Sequence, residues 1–275
     1  MQEVFNTGET QEELRRKYNP EGSKLRKLQY RMLDMLLYID KVCREQNIEW
    51  RLDGGNILGA VRHGGFIPWD DDVDIVLLPK DHKRLVDYLK THPHPQYVLQ
   101  DNDTDPGFYA PNWAVLRDTK SEYIQNTYLH NARKYKGAQI DIFCYENHIN
   151  KFLYKVVAFF TRQNIYRFIG RDPRIAQFVY DFQVKILIPV CRWIGHPFSS
   201  SNLYGHAYGH LSYPFILKWV TSEMVFPHKP IKFEGHEFPG PGNPEKFLNY
   251  KYGIYMNLPP KEMRNLHQAM YKIWD

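Results

Sequence analysis

Four aspartates crowd into five positions of this 275-residue chain: Asp70, Asp71, Asp72 and Asp74. In extended backbone, residues two apart project to the same side, so Asp70, Asp72 and Asp74 can face one way. Carboxylates that close repel one another and lose hydration on burial, so a bare trio would hold protons above the ordinary range. A divalent cation reverses that balance. Hard carboxylate oxygens along one edge are what Mg²⁺ takes, with Mn²⁺ as the alternative, leaving positions open to water and phosphate oxygens. Acidic runs also occur as solvated turns. Here the run leads into Ile75-Val76-Leu77-Leu78, an apolar stretch that pins it to a sheet edge and favours the metal reading.

A second feature lies upstream. Gly54-Gly55 separates a short strand from a short helix, which lets backbone approach a phosphate closely while the helix N-terminus turns N–H groups toward it. An ordinary strand-to-helix turn has the same look, so the pair gains weight only from Asp72-Val73-Asp74, about seventeen residues on. Elsewhere, His206 and His210 have the spacing of a helical zinc pair, but the segment lacks a general-base Glu and contains Gly209. Cys144 lies near Asp141 with no His partner in evidence, which argues against a catalytic thiol.

The elements that must position these residues are legible from periodicity. Leu25, Leu28, Met32, Met35, Leu36, Ile39 and Val42 predict a helix over 23–46, with Ser23 as its cap. A strand is expected at 48–52, a helix at 56–63, a strand at 72–78, a basic helix at 80–90 and a strand at 139–143. The C-terminal part closes with a helix near 261–273. The fold class expected is α+β, a mixed β-sheet core with flanking helices. Residues 1–22 form a polar N-terminal segment and 23–149 the catalytic core. Residues 150–196 form a basic, aromatic-rich helical insertion, and 197–275 a Pro/Gly-rich closing part on the acceptor side.

Composition sets the outer bounds. The net charge of +5 permits phosphate-bearing ligands or an anionic membrane face and is too small to imply nucleic acid. Cys43, Cys144 and Cys191 are scattered and odd in number, which makes no disulfide framework. The polar start carries no signal-like apolar core, and no apolar run reaches spanning length. A cytoplasmic protein, with peripheral contact at the inner face of the plasma membrane through 150–196, is the expectation.

A glycine-rich strand–helix turn followed by Asp-x-Asp on a strand resembles the nucleotidyltransferase fold, which implies a third carboxylate on a later strand. Asp141, in Gln139-Ile140-Asp141-Ile142-Phe143, is the candidate; an Asp in so apolar a strand is costly unless paired or metal-bound. The longer run LDGGNILGAVRHGGFIPWDDDVDI resembles the signature of the LicD family of phosphocholine and ribitol-phosphate transferases. The resemblance continues through Leu116-Arg117-Asp118, Ile140 to Phe143, Phe226-Pro227, Phe233-Glu234-Gly235 and Pro244 to Arg264, covering most of 25–267. Asn56 stands where the family usually has Thr or Ser, Cys144 where it often has Pro, and Ile254 where an acid is common.

The resemblance implies Mg²⁺-dependent transfer of a phospho-alcohol, phosphocholine above all, from a CDP-linked donor to a sugar hydroxyl. The acceptor would be a cell-surface glycan such as teichoic acid, lipopolysaccharide or capsule, or its lipid-linked precursor. Asp70, Asp72, Asp74 and Asp141 are the candidate metal ligands, with Asp72, Asp74 and Asp141 catalytic. Gly54, Gly55, Asn56, Arg62, His63 and Arg117 are the candidate donor-phosphate contacts. The competing readings are a nucleotidyltransferase that transfers NMP and releases pyrophosphate, and a non-catalytic membrane-surface binding protein.

Overall fold

The structure, a computed structural model, describes residues 4–124, 131, 133–168, 171–209, 218–264 and 270–273. Helix α1 (Gln11–Tyr18) carries a capping box in which Thr10 and Glu13 satisfy each other's backbone N–H groups. Helix α2 (Lys24–Gln46) is capped by the Ser23 hydroxyl, which accepts from Arg26 N at 3.2 Å, and ends on Asn47 in the left-handed region. The apolar stripe read from its sequence is the face it buries, and each such Leu or Met contributes about 1.5–3 kcal/mol of burial.

One mixed sheet carries the site. Its strands are β1 (Arg51–Leu52), β2 (Asp74–Leu77), β3 (Tyr97–Gln100), β4 (Trp113–Asp118) and β6 (Gln139–Glu146), ordered β1-β2-β6-β4-β3. Within that order only β2 and β6 run parallel. Helix α3 (Gly54–His63) follows β1, and α4 (Pro79–Thr91) follows β2. Beyond β6, the hydrogen-bonded path continues through β7 (Leu203–His206) to β8 (Val220–Thr221). The α+β class expected from the sequence is the class found.

Most of the described residues of 150–196 are helical: α5 (Lys151–Arg167), α6 (Pro173–Phe182), a π-helical turn (Gln183–Leu187) and α7 (Ile188–Gly195). Their own small core comprises Tyr154, Val157, Ala158, Ile188, Cys191 and Tyr208, with Ile149 and Trp219. Then come a short α8 (Ser222–Val225), the hairpin β9 (Lys229–Phe233) with β10 (His236–Gly240), and α9 (Pro244–Tyr252).

The closing segment differs from its expected helix. Lys261–Met263 is a single 3₁₀ turn, and β11 (Met270–Ile273) pairs antiparallel with β5 (Ser121–Ile124); residues 265–269 lie outside the described residues. Helical spacing there loses to a strand partner distant in sequence, the kind of tertiary context that periodicity does not register. All three cysteines are buried and unpaired, and burial pushes the Cys144 thiol up to about 12, which makes it inert as a nucleophile at neutral pH.

Candidate active site at the β2 and β6 edge

The geometry starts from strand register. Asp74 and Asp141 are direct partners on the parallel strands β2 and β6, so their side chains leave the same face of the sheet about 5 Å apart at the backbone. Asp72 lies two residues before Asp74, and its charge acts on the Asp74 carboxyl. Burial, then the charges of Asp72, Asp141, Asp53 and Asp70, push the Asp74 carboxyl well above the usual carboxylate range.

The glycine pair sits directly on these carboxylates. A Cβ on Gly54 would stand 3.0 Å from Asp74 Oδ2, and one on Gly55 would stand 3.0 Å from Asp70 Oδ2. Gly54 also has φ +56°, which L side chains rarely adopt. Two independent constraints, close approach and backbone sign, therefore act at Gly54. The first turn of α3 packs against Asp70 and Asp74 with no side chain between.

Asn56 fixes the other side of this contact. Its Oδ1 accepts from Asp74 N at 2.6 Å, and its Nδ2 donates to the Asp72 carbonyl at 3.3 Å. The amide is spent on holding the acidic segment against α3. Arg62 donates through Nη1 to the Tyr255 and Asn257 carbonyls at 2.8 and 3.0 Å, which ties α3 to the C-terminal part. Burial, then Arg264, lower its guanidinium to about 10. His63 lies within hydrogen-bond distance of Gln11 and packs edge-on against Trp69. Burial, then Arg62 and Arg15, lower it to about 3, so it is neutral near pH 7.

Arg117 is fully buried on β4, donating to Gln100 Oε1 at 2.8 Å and to the Gly137 carbonyl at 3.0 Å. It acts on Asp141 through its charge. Burial raises the Asp141 carboxyl, and Arg117, the Trp113 indole N–H at 2.9 Å, Arg133 and the Gln139 amide at 2.8 Å pull the other way. Among the described residues, no group of three His, Cys, Asp or Glu side chains is gathered closely enough to hold a metal ion as it stands. Both Asp141 oxygens are taken, one by Trp113 and one by Gln139.

Sequence reasoning missed the cluster beside this edge. Asp53 is buried immediately before the glycine pair, and its N–H donates to the Asp74 carbonyl at 3.0 Å. Its carboxylate accepts from Arg51 Nη1 at 3.0 Å and the Tyr145 hydroxyl at 2.8 Å, with Lys251 Nζ at 3.8 Å and His206 Nε2 at 3.9 Å. Burial alone would raise this carboxyl; Lys251, Arg51, His206 and Tyr145 overcome that and hold it below the usual range. Tyr145 had a signal available, since it stands four residues after Asp141 on the same face of β6. Lys251 had none, being delivered by α9 through tertiary packing. Of the weighed histidine pair, His206 joins this cluster and His210 lies outside the described residues.

The family model described as "LicD/FKTN/FKRP, nucleotidyltransferase domain" matches residues 47–170, a span that contains the whole acidic edge. Residues 47–170 therefore carry a domain of the LicD type. It is 27% identical to the lipopolysaccharide cholinephosphotransferase LicD of Haemophilus influenzae, over 88% of this chain and 95% of that protein. A local match, 43% identical over 44 residues, joins it to the human ribitol 5-phosphate transferase FKRP, covering 16% of this chain and 9% of that protein.

The donor set fits a divalent cation in its chemistry. It is made of hard oxygens, with excess negative charge felt at Asp74, and it faces a glycine cradle that a Cβ would fill.

Proposed function

We propose that this protein transfers a phospho-alcohol, phosphocholine foremost, from a CDP-linked donor to a sugar hydroxyl of a cell-surface glycan. The observation that carries the reading is the register pairing of Asp74 with Asp141 beside the Gly54-Gly55 turn. The names of the relatives supply the class of group moved, a phosphate ester of a small alcohol.

In this reading Asp70, Asp72, Asp74 and Asp141 would hold Mg²⁺, which when bound neutralises diphosphate charge and favours departure of the nucleotide. The chain's own residues do the rest. Backbone N–H groups of Gly54 and Gly55, at the start of α3, receive a donor phosphate oxygen. Asn56 holds Asp72 and Asp74 in place, and Arg117 sets the charge around Asp141. The acceptor hydroxyl oxygen forms its bond to phosphorus as the bond to the CMP oxygen breaks, and the hydroxyl proton passes to a carboxylate, for which Asp141 is our candidate. A nucleotide-activated donor sets the reaction on the cytoplasmic side.

The test is product analysis with CDP-choline, Mg²⁺ and a lipopolysaccharide-derived saccharide. CMP release with choline phosphate appearing on the saccharide is the expected result. Pyrophosphate release from a nucleoside triphosphate, with no CMP from CDP-choline, would overturn the reading in favour of NMP transfer.

A further inference from the structure

The helices of residues 150–196 are built inside out relative to an ordinary surface hairpin. From Pro173 to Gly195 the backbone is helical without a break, because α6, the π turn and α7 follow one another directly. Its inner face presents Ala176, Gln183, Ile188, Cys191 and Gly195, all buried. Its outer face carries Ile175, Phe178, Phe182, Ile186, Val190 and Trp193, spaced three or four residues apart, and every one of them is exposed. Phe178 is 72% exposed and Trp193 79%. Phe152 and Phe159, seven residues apart on α5, add a parallel exposed row. At about 1.5 Å per residue the main stripe runs roughly 30 Å, far beyond the scattered apolar residues a soluble surface carries.

Charge is concentrated in the same place. Residues 150–196 hold eight Lys and Arg against Asp172 and Asp181, a net of +6, while the whole chain carries +5. All the basic excess therefore lies in this segment, and the remainder of the molecule is at −1. Lys151 and Lys155 are exposed on α5 beside Phe152 and Phe159; Arg174 and Lys185 are exposed on the long helix. Asp172 is used as the cap of α6, and Asp181 is paired with Lys185.

We infer that this face docks on an anionic lipid bilayer, with the helix lying in the plane of the leaflet. Charge complementarity selects that occupant. A second copy of the chain would bring one net-basic segment against another, whereas a leaflet rich in anionic headgroups attracts the exposed lysines and arginines and accepts aromatic side chains at the depth of the headgroups. The apolar residues form an exposed row, which a fluid partner covers without shape matching. No described helix is long and apolar enough to cross a membrane, which fits a helix that lies on the surface. The inference stands apart from the transfer reaction, and its test does not use activity.

The full chain is sedimented with vesicles of phosphatidylcholine alone and with phosphatidylcholine mixed with phosphatidylglycerol, at low and high salt. Pelleting with the anionic vesicles, falling as salt rises, is the expected result. Phe178→Ser with Trp193→Ser should lower vesicle partitioning by about tenfold or more, and Lys155→Glu with Arg174→Glu should do the same by the electrostatic route. Both pairs change exposed side chains, and an unchanged melting temperature confirms the fold. Absence of pelleting at low salt overturns the inference, as does binding that neither pair weakens. A concentration-dependent dimer abolished by Phe178→Ser with Trp193→Ser would overturn it in favour of self-association.

Discussion

The acidic sheet edge and the helical insertion break opposite rules of protein construction. At the edge, carboxylates are taken out of water and kept ionisable by supporting groups: Arg51 and Tyr145 on Asp53, Trp113 and Gln139 on Asp141. On the insertion, phenylalanine and tryptophan side chains are held in water by a helix that turns Ala176, Gln183, Ile188, Cys191 and Gly195 inward. Desolvated charge and solvated hydrocarbon are each unfavourable in the isolated molecule. In the readings proposed above, both would become favourable against something outside it, a cation and phosphates in one case and a lipid surface in the other. The two regions should therefore respond differently to substitution, and the sharpest tests set one against the other.

The largest effect is expected at Asp74. Asp74→Asn removes a charge that four other aspartates oppose, so turnover should fall by well over the roughly 10–100-fold seen when only the supports of a metal ligand are altered. Stability should hold or rise, because like-charge repulsion is relieved. Activity assays and urea unfolding on the same preparation check both halves. Wild-type turnover in the variant would remove Asp74 from the chemistry.

Asp53 should behave in the reverse manner. Its carboxyl is held below the usual range by Lys251, Arg51, His206 and Tyr145, so the native state prefers the charged form. That preference stabilises the fold above the ordinary carboxylate value of 3.8 and is lost as pH falls from there through the depressed native value. Asp53→Ala leaves Arg51 buried without its carboxylate and should cost about 3–5 kcal/mol near pH 7. The gap to wild type should narrow below pH 3.8. An equal gap in acid and at neutrality would show that the charge plays no part.

These two aspartates also mark how far the sequence can be read. The acidic run, the glycine pair and the strand at 139–143 were legible because their spacing encodes local geometry: alternation in a strand, a bend before a helix. Family likeness implied a third carboxylate on a later strand, but the parallel pairing of Asp74 with Asp141 came only from the structure, since nothing in either strand states its neighbour. Asp53 was overlooked because its partners Arg51, Tyr145, His206 and Lys251 come from four separate elements, and only tertiary packing assembles them. The same cause turned the expected C-terminal helix into β11, whose partner β5 lies far away in sequence. Of the side chains proposed for phosphate contact, Asn56, Arg62 and Arg117 each also hold a backbone carbonyl. Residue type reveals that a donor is present without revealing where its hydrogen bonds go.

A smaller effect separates the glycine cradle from the carboxylates it covers. Gly54→Ala keeps every titratable group but forces an L side chain to φ +56° and sets its Cβ 3.0 Å from Asp74 Oδ2. The backbone penalty is about 1–2 kcal/mol, measurable by urea unfolding, and the displaced Asp74 should weaken donor binding more than the fold. Equal stability and equal donor affinity would mean that the tight approach has no role.

The smallest stability effect should come from the insertion, and one residue type makes the comparison direct. Trp50 is 2% exposed in the core beside Phe238, and Trp193 is 79% exposed on α7. Truncating Trp50 to Ala should cost about 3–5 kcal/mol, as large-to-small changes in packed cores do. Trp193→Ala should change unfolding free energy by no more than about 0.5 kcal/mol, because the side chain leaves water neither before nor after folding. A loss above about 1 kcal/mol at Trp193 would mean that its ring is packed in the folded chain. The apolar row would then be part of the protein's own core, and the contrast between the two regions would fail at its weaker end.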